Sequence, residues 1–75
     1  MTPRPLLERA RSRARRLYPN STAFQGAYMK GAHAAAAGLG PEKCPYKRTT
    51  QRSWRQNFRV AWMRGHASVS DALAD

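Results

Sequence analysis

The chain has almost no acid. Four Asp and Glu stand against fourteen Lys and Arg in 75 residues, leaving a formal charge of +10. So few carboxylates, scattered at Glu8, Glu42, Asp71 and Asp75, leave nothing to hold a catalytic magnesium ion. "GLGPEK" holds glycine but is not a phosphate-binding loop, so nothing favours nucleotide hydrolysis. The single cysteine, Cys44, rules out an internal disulfide and fits a reducing, cytoplasmic location. With His33 and His66 as its only soft companions, none at a motif spacing, no metal site is expected. His33 or His66 could in principle serve Cys44 as a base, but nothing else in the sequence suggests acyl transfer, so Cys44 reads as a small buried thiol anchoring its loop. There is no apolar run of the roughly 18 residues that a membrane span needs, and the N-terminal stretch lacks the apolar core of a secretory signal. A chain this short buries only about 60% of its extended surface, which disfavours a deep substrate cleft. We therefore expect no catalytic residues, no cofactor and no membrane partner.

What is abundant is arginine. All but Lys30, Lys43 and Lys47 of the fourteen basic residues are Arg. The planar guanidinium matches phosphate oxygens and stacks on bases, and a strong basic excess is an electrostatic footprint of nucleic-acid binding. From Pro3 to Tyr18 the residues Leu6, Leu7, Ala10, Ala14 and Leu17 fall at helical spacing, with arginines over most of the remaining surface. Thr2 and Pro3 suit a helix start, and Pro19-Asn20 a stop. This segment, 1–20, reads as a basic N-terminal helix or extension.

A second helix is expected from about Ala23 to Ala37, capped by Ser21 or Thr22 and closed by Gly38 in a left-handed conformation. One of its faces is built of small residues, Ala27, Gly31, Ala34, Ala35 and Gly38, while Phe24 and Tyr28 add bulk. His33 reads as a partly exposed helix residue. The stretch "GLGPEKCPYKRTT" reads as a loop, because Gly40, Pro41 and Pro45 interrupt regular structure. Thr49 or Thr50 can cap a third helix, from about Gln51 to Arg64, with Gly65 as its stop. Trp54, Phe58 and Trp62 recur every four residues along it, an apolar stripe suited to sit over the small face of the second helix. Trp62 is expected to be the most exposed of the three. The last residues, 66–75, read as a flexible tail, with at most a short turn begun by Ser68 and Asp71.

The fold expected is all-α: two packed helices joined by a Cys-Pro-Tyr loop over residues 21–65, plus the additional Arg-rich helix. Its structural core would comprise Gly31, Ala34, Gly38, Cys44, Pro45, Trp54, Phe58 and Trp62. Basic residues interleave with aromatics around the loop and along the third helix, a composition that suits a phosphate backbone with a base stacked on Tyr46. The candidate nucleic-acid contacts are Lys43, Tyr46, Lys47, Arg48, Arg52, Arg55 and Arg59, with Arg9, Arg13 and Arg16 from the first helix.

The stretch from Gly26 to Arg64 resembles the ribosome modulation factor family, with which the small CrpP-type proteins are also grouped. Gly31, Ala34, Ala37 and Gly38 occupy the family's small positions counted back from Cys44. Cys44, Pro45 and Tyr46 match its Cys-Pro-Tyr. Gln51, Arg52 and Ser53 match a Gln-Arg-Ser, and Trp54 and Phe58 reproduce its aromatic pair. Trp54 stands one residue closer to the cysteine than in the family, and Asn57 and Ala32 replace a glycine and an aromatic. The resemblance implies two helices joined by the Cys-Pro-Tyr loop. It also implies binding to 16S rRNA of the small ribosomal subunit, inhibition of translation and promotion of ribosome hibernation under stress in a bacterial cytoplasm. Three rival readings stand beside it: a DNA-binding or phage-type regulator, a membrane-surface helix over residues 3–18, and the ATP-dependent fluoroquinolone modification linked to the CrpP branch, for which no residues are equipped. Oligomeric state is not legible in the sequence.

Overall fold

A computed structural model describes residues 4–46 and 54–74, with the side chains of 54–56 excepted. The described chain is all-α: α1 (Arg4–Leu17), α2 (Thr22–Ala36), a single 3₁₀ turn (Pro41–Lys43) and α3 (Trp54–Ala74). The expected caps Thr2, Thr49 and Thr50 lie outside the described residues.

Local chemistry sets the boundaries of α2. Of the two candidate caps it is Ser21 that accepts the Phe24 amide on its side chain, at 3.2 Å, satisfying a donor with no partner inside the helix. The Gln25 side-chain amide donates to the Tyr18 carbonyl at 2.7 Å, tying the α1–α2 turn together. At the other end Gly38 has φ +82°, and its amide and that of Leu39 donate back to the Ala35 and Ala34 carbonyls. Gly38 is thus a helix terminator exposed to solvent rather than a core residue as expected. A residue beyond the last turn has no neighbouring helix to cover it.

The close packing lies between α2 and α3, and it differs from the expected seating of large rings on glycine. A methyl group added at Gly31 would overlap the Trp62 carbonyl, and one added at Gly65 would overlap the Tyr28 carbonyl. The two glycines therefore let the backbones touch in a reciprocal crossing, with buried Ala27, Ala32, Ala35 and Ala61 around it. This is why Gly65 does not stop α3. It serves close approach, its backbone stays helical, and the helix continues to Ala74. The expected flexible tail instead supplies Val69, 1% exposed, and His66, 7% exposed, to the interior. Trp62, expected to be the most exposed ring, is 2% exposed, because its own backbone forms the crossing and its ring stacks on His66 with centroids 5.3 Å apart.

The Arg-rich helix is part of the core. Leu6, Ala10 and Ala14 pack in one cluster with Tyr28, Ala32, Ala35 and Val69. The apolar stripe of α1 covers the pair formed by α2 and α3, and the helix stays amphipathic in spite of its charge. Of the remaining residues expected in the core, Ala34, Cys44 and Phe58 are half-buried and Pro45 is exposed; the Trp54 side chain lies outside the description.

Candidate nucleic-acid interface

Burial on α1 follows the helical period. With Leu6, Ala10 and Ala14 turned inward, Arg9, Arg11, Arg13, Arg15 and Arg16 are all exposed. Among the described residues the one ion pair joins Arg4 to Glu8, at 3.7 Å and on the surface. Among the described residues none of these five arginines has an acidic partner, so their charge is available to an external anion. Arg9, Arg13 and Arg16, singled out from the sequence, belong to this array.

The loop and the start of α3 present a different picture. Lys43 is exposed at the end of the 3₁₀ turn. Lys47, Arg48 and Arg52 lie outside the described residues, as does the Arg55 side chain. Tyr46 is half-buried, with its ring stacked on Phe58 at a centroid distance of 5.6 Å. Phe58 in turn packs on Phe24 at 4.7 Å, and Phe24 on Tyr18 at 5.5 Å. Four rings thus run from the end of α1 to the loop, and a base added at Tyr46 has at most the outer ring face to use. Arg59 is half-buried, and its guanidinium donates to the Tyr46 carbonyl at 2.8 Å. It positions the loop, so the role expected for it, direct phosphate contact, is at least shared with a structural one. Cys44 anchors the same turn weakly, its Sγ 3.6 Å from the Tyr46 carbonyl oxygen.

Two side chains with long-range contacts were not foreseen. Arg64 is exposed on α3 and donates to the Tyr18 hydroxyl at 3.4 Å. That bond holds it on the α1 side of the molecule, near Arg13. His66 has Nε2 2.7 Å from the Leu39 carbonyl oxygen. A carbonyl only accepts, so Nε2 carries the proton, and the ring fastens the segment after α2 onto α3. The overlooked signal was periodic: Trp62, His66 and Val69 continue the stripe past Gly65 at i, i+4 and i+7.

Grooves between helices are shallow. One of about 340 Å³ lies between α1 and α2 and is lined by Arg4, Leu7, Glu8, Arg11, Met29 and His33. Among the described residues no three of His, Cys, Asp and Glu come together as a metal site, and no helix is long and apolar enough to cross a membrane. Fold and surface together define a small basic three-helix protein. Compared with protein-family models, curated proteins and solved structures, the chain matches none.

Proposed function

We propose that this chain is a ribosome-associated RNA-binding protein that takes 16S rRNA of the small subunit and lowers translation by occupancy, making and breaking no bond. The observation that carries the reading is the set of five exposed arginines around the outer surface of α1, without carboxylate partners among the described residues, held by a helix whose opposite face is buried. A rigid cationic face of this kind loses little conformational freedom on meeting a polyanion, and arginine suits phosphate better than lysine does. This surface chemistry supports a polyanionic partner, and the resemblance favours RNA among such partners. The choice of small-subunit rRNA rests on the likeness of Gly26–Arg64 to the ribosome modulation factor pattern. Lys43 is exposed and Tyr46 half-buried in the loop, where both stay candidates for further contacts.

The test is co-sedimentation with 30S particles through a sucrose gradient at stated salt. The unaltered protein is expected in the 30S fractions and in a form that alters the ribosome profile. Charge reversal at Arg9, Arg13 and Arg16 to Glu is expected to release it with helicity unchanged by circular dichroism. Failure of the unaltered protein to sediment with 30S would sink the reading. Tighter binding to duplex DNA, or to anionic vesicles, at the same ionic strength would replace it with one of its rivals.

A further inference from the structure

The two flanks of α1 are chemically unequal. On the α2 side the basic wall is Arg4, Arg11 and Arg15, and the facing residues are Thr22, Gln25, Met29 and His33, with Glu8 on the rim. No arginine faces them from α2. On the α3 side, by contrast, Arg9 and Arg13 line one wall while Arg64 lines the other. The two cavities on this flank adjoin, with Arg13 and Ser68 in both linings, and together they mark the groove along the α1–α3 seam. Leu17 lies beside Arg64 at one end and Leu6 beside Ala72 at the other, so α1 and α3 run in opposite directions along it.

We infer that this α1–α3 groove is the seat of a single RNA strand, with Arg9 and Arg13 on one wall and Arg64 on the other gripping its phosphates. The inference rests on the RNA-binding reading above and assigns it a place. Arg9 and Arg13 are four residues apart and therefore about 6 Å apart along the helix axis; both point to one flank, a stride that suits neighbouring phosphates on one strand. Arg64 is already oriented by its bond to the Tyr18 hydroxyl, so less of its freedom is lost on binding. The floor is apolar where Leu17, Tyr28 and Ala67 line it. Leu17 is 46% exposed, and a sugar or base edge laid in the groove would cover it. Asp71 is the one acid in the lining. It lies within 4 Å of no basic group among the described residues, so it opposes the phosphates.

The experiment is a salt titration of affinity for a fluorescently labelled single-stranded RNA dodecamer. It compares the full-length protein, the triple variant R9Q/R13Q/R64Q, the triple variant R4Q/R11Q/R15Q and the single variant D71N, each checked for helicity. Both triples remove three charges, from opposite flanks. The α3-flank triple is expected to flatten the log–log salt slope by about 2, since each phosphate contact on a single strand contributes roughly 0.7. The α2-flank triple should change the slope by much less, and D71N should tighten binding several-fold. Equal losses from the two triples, or an unaffected D71N, would overturn the groove assignment and leave the RNA-binding reading standing. Absence of salt-sensitive binding by the unaltered protein would overturn both.

Discussion

Three glycines inside helices meet two different environments. At Gly31 and Gly65 a β-carbon would run into the carbonyl of the facing helix, whereas at Gly26 nothing lies within 4 Å. Alanine is the better helix former by roughly 0.5–1 kcal/mol, so Gly26→Ala should raise stability by about that amount. Gly31→Ala and Gly65→Ala must push α2 and α3 apart. Their overpacking cost, typically about 1–3 kcal/mol, is expected to exceed the propensity gain, because the obstructing atoms are backbone and cannot rotate away. In a domain of this size each kcal/mol moves the midpoint by roughly 4–8 °C, so differential scanning fluorimetry resolves the signs. A midpoint for Gly31→Ala at or above that of the unaltered protein would mean the crossing is looser than described. Gly38 belongs to a third class, since its φ of +82° strains any other residue even though space is open around it.

At the scale of elements, the consequential feature is the second half of α3. Val69 is 1% exposed within the cluster that joins all three helices, whereas Leu73, one turn on, is 46% exposed. Val69→Ala removes two buried carbons at about 0.8 kcal/mol each plus a cavity contribution, so a loss of about 2 kcal/mol is expected from thermal melts. Leu73→Ala should fall within roughly 0.5 kcal/mol. A chain ending at Gly65 loses both His66 and Val69 and is expected to melt without a cooperative transition. A sharp melt from that truncated chain would show that α1, α2 and the first half of α3 suffice as a core. This element also shows what the sequence can carry. The existence of three helices was legible, because apolar spacing, Ser21 and Gly38 are local signals, but the extent of α3 beyond Gly65 was not. Gly65 was misleading because a glycine that ends a helix and one that admits a neighbouring backbone are the same residue in one dimension. Only the partner helix distinguishes them, and that partner is 37 positions away at Tyr28. Arg64 was missed for the same reason: its importance comes from Tyr18, 46 residues earlier. The Arg array on α1 needed no such partner, since three inward-facing residues at helical spacing dictate where the arginines point.

For the whole molecule the dominant quantity is the charge of +10 on 75 residues. Folding gathers these cations onto a small body, and self-repulsion opposes it. The described residues offset that repulsion with a single surface ion pair, a kind of contact that contributes little. Stability and RNA affinity should therefore respond to salt with opposite signs. Raising monovalent salt from about 10 mM to 150 mM shortens the screening length from roughly 30 Å to 8 Å. Repulsion among Arg9, Arg11, Arg13, Arg15 and Arg16 is then screened, and the melting midpoint should rise. Over the same range RNA affinity should fall, because releasing counterions into a more concentrated salt solution is less favourable. A bound polyanion should stabilise the fold further than chloride at equal ionic strength, by about 2.7 kcal/mol when present at a hundred times its dissociation constant. Thermal melts across a salt series, with and without single-stranded RNA, measure both responses on one sample. A midpoint that stays flat or falls as chloride is added would show that the arginines are not crowded against one another. The partnerless array on α1 would then lose its standing as the feature that draws this protein to an anionic strand.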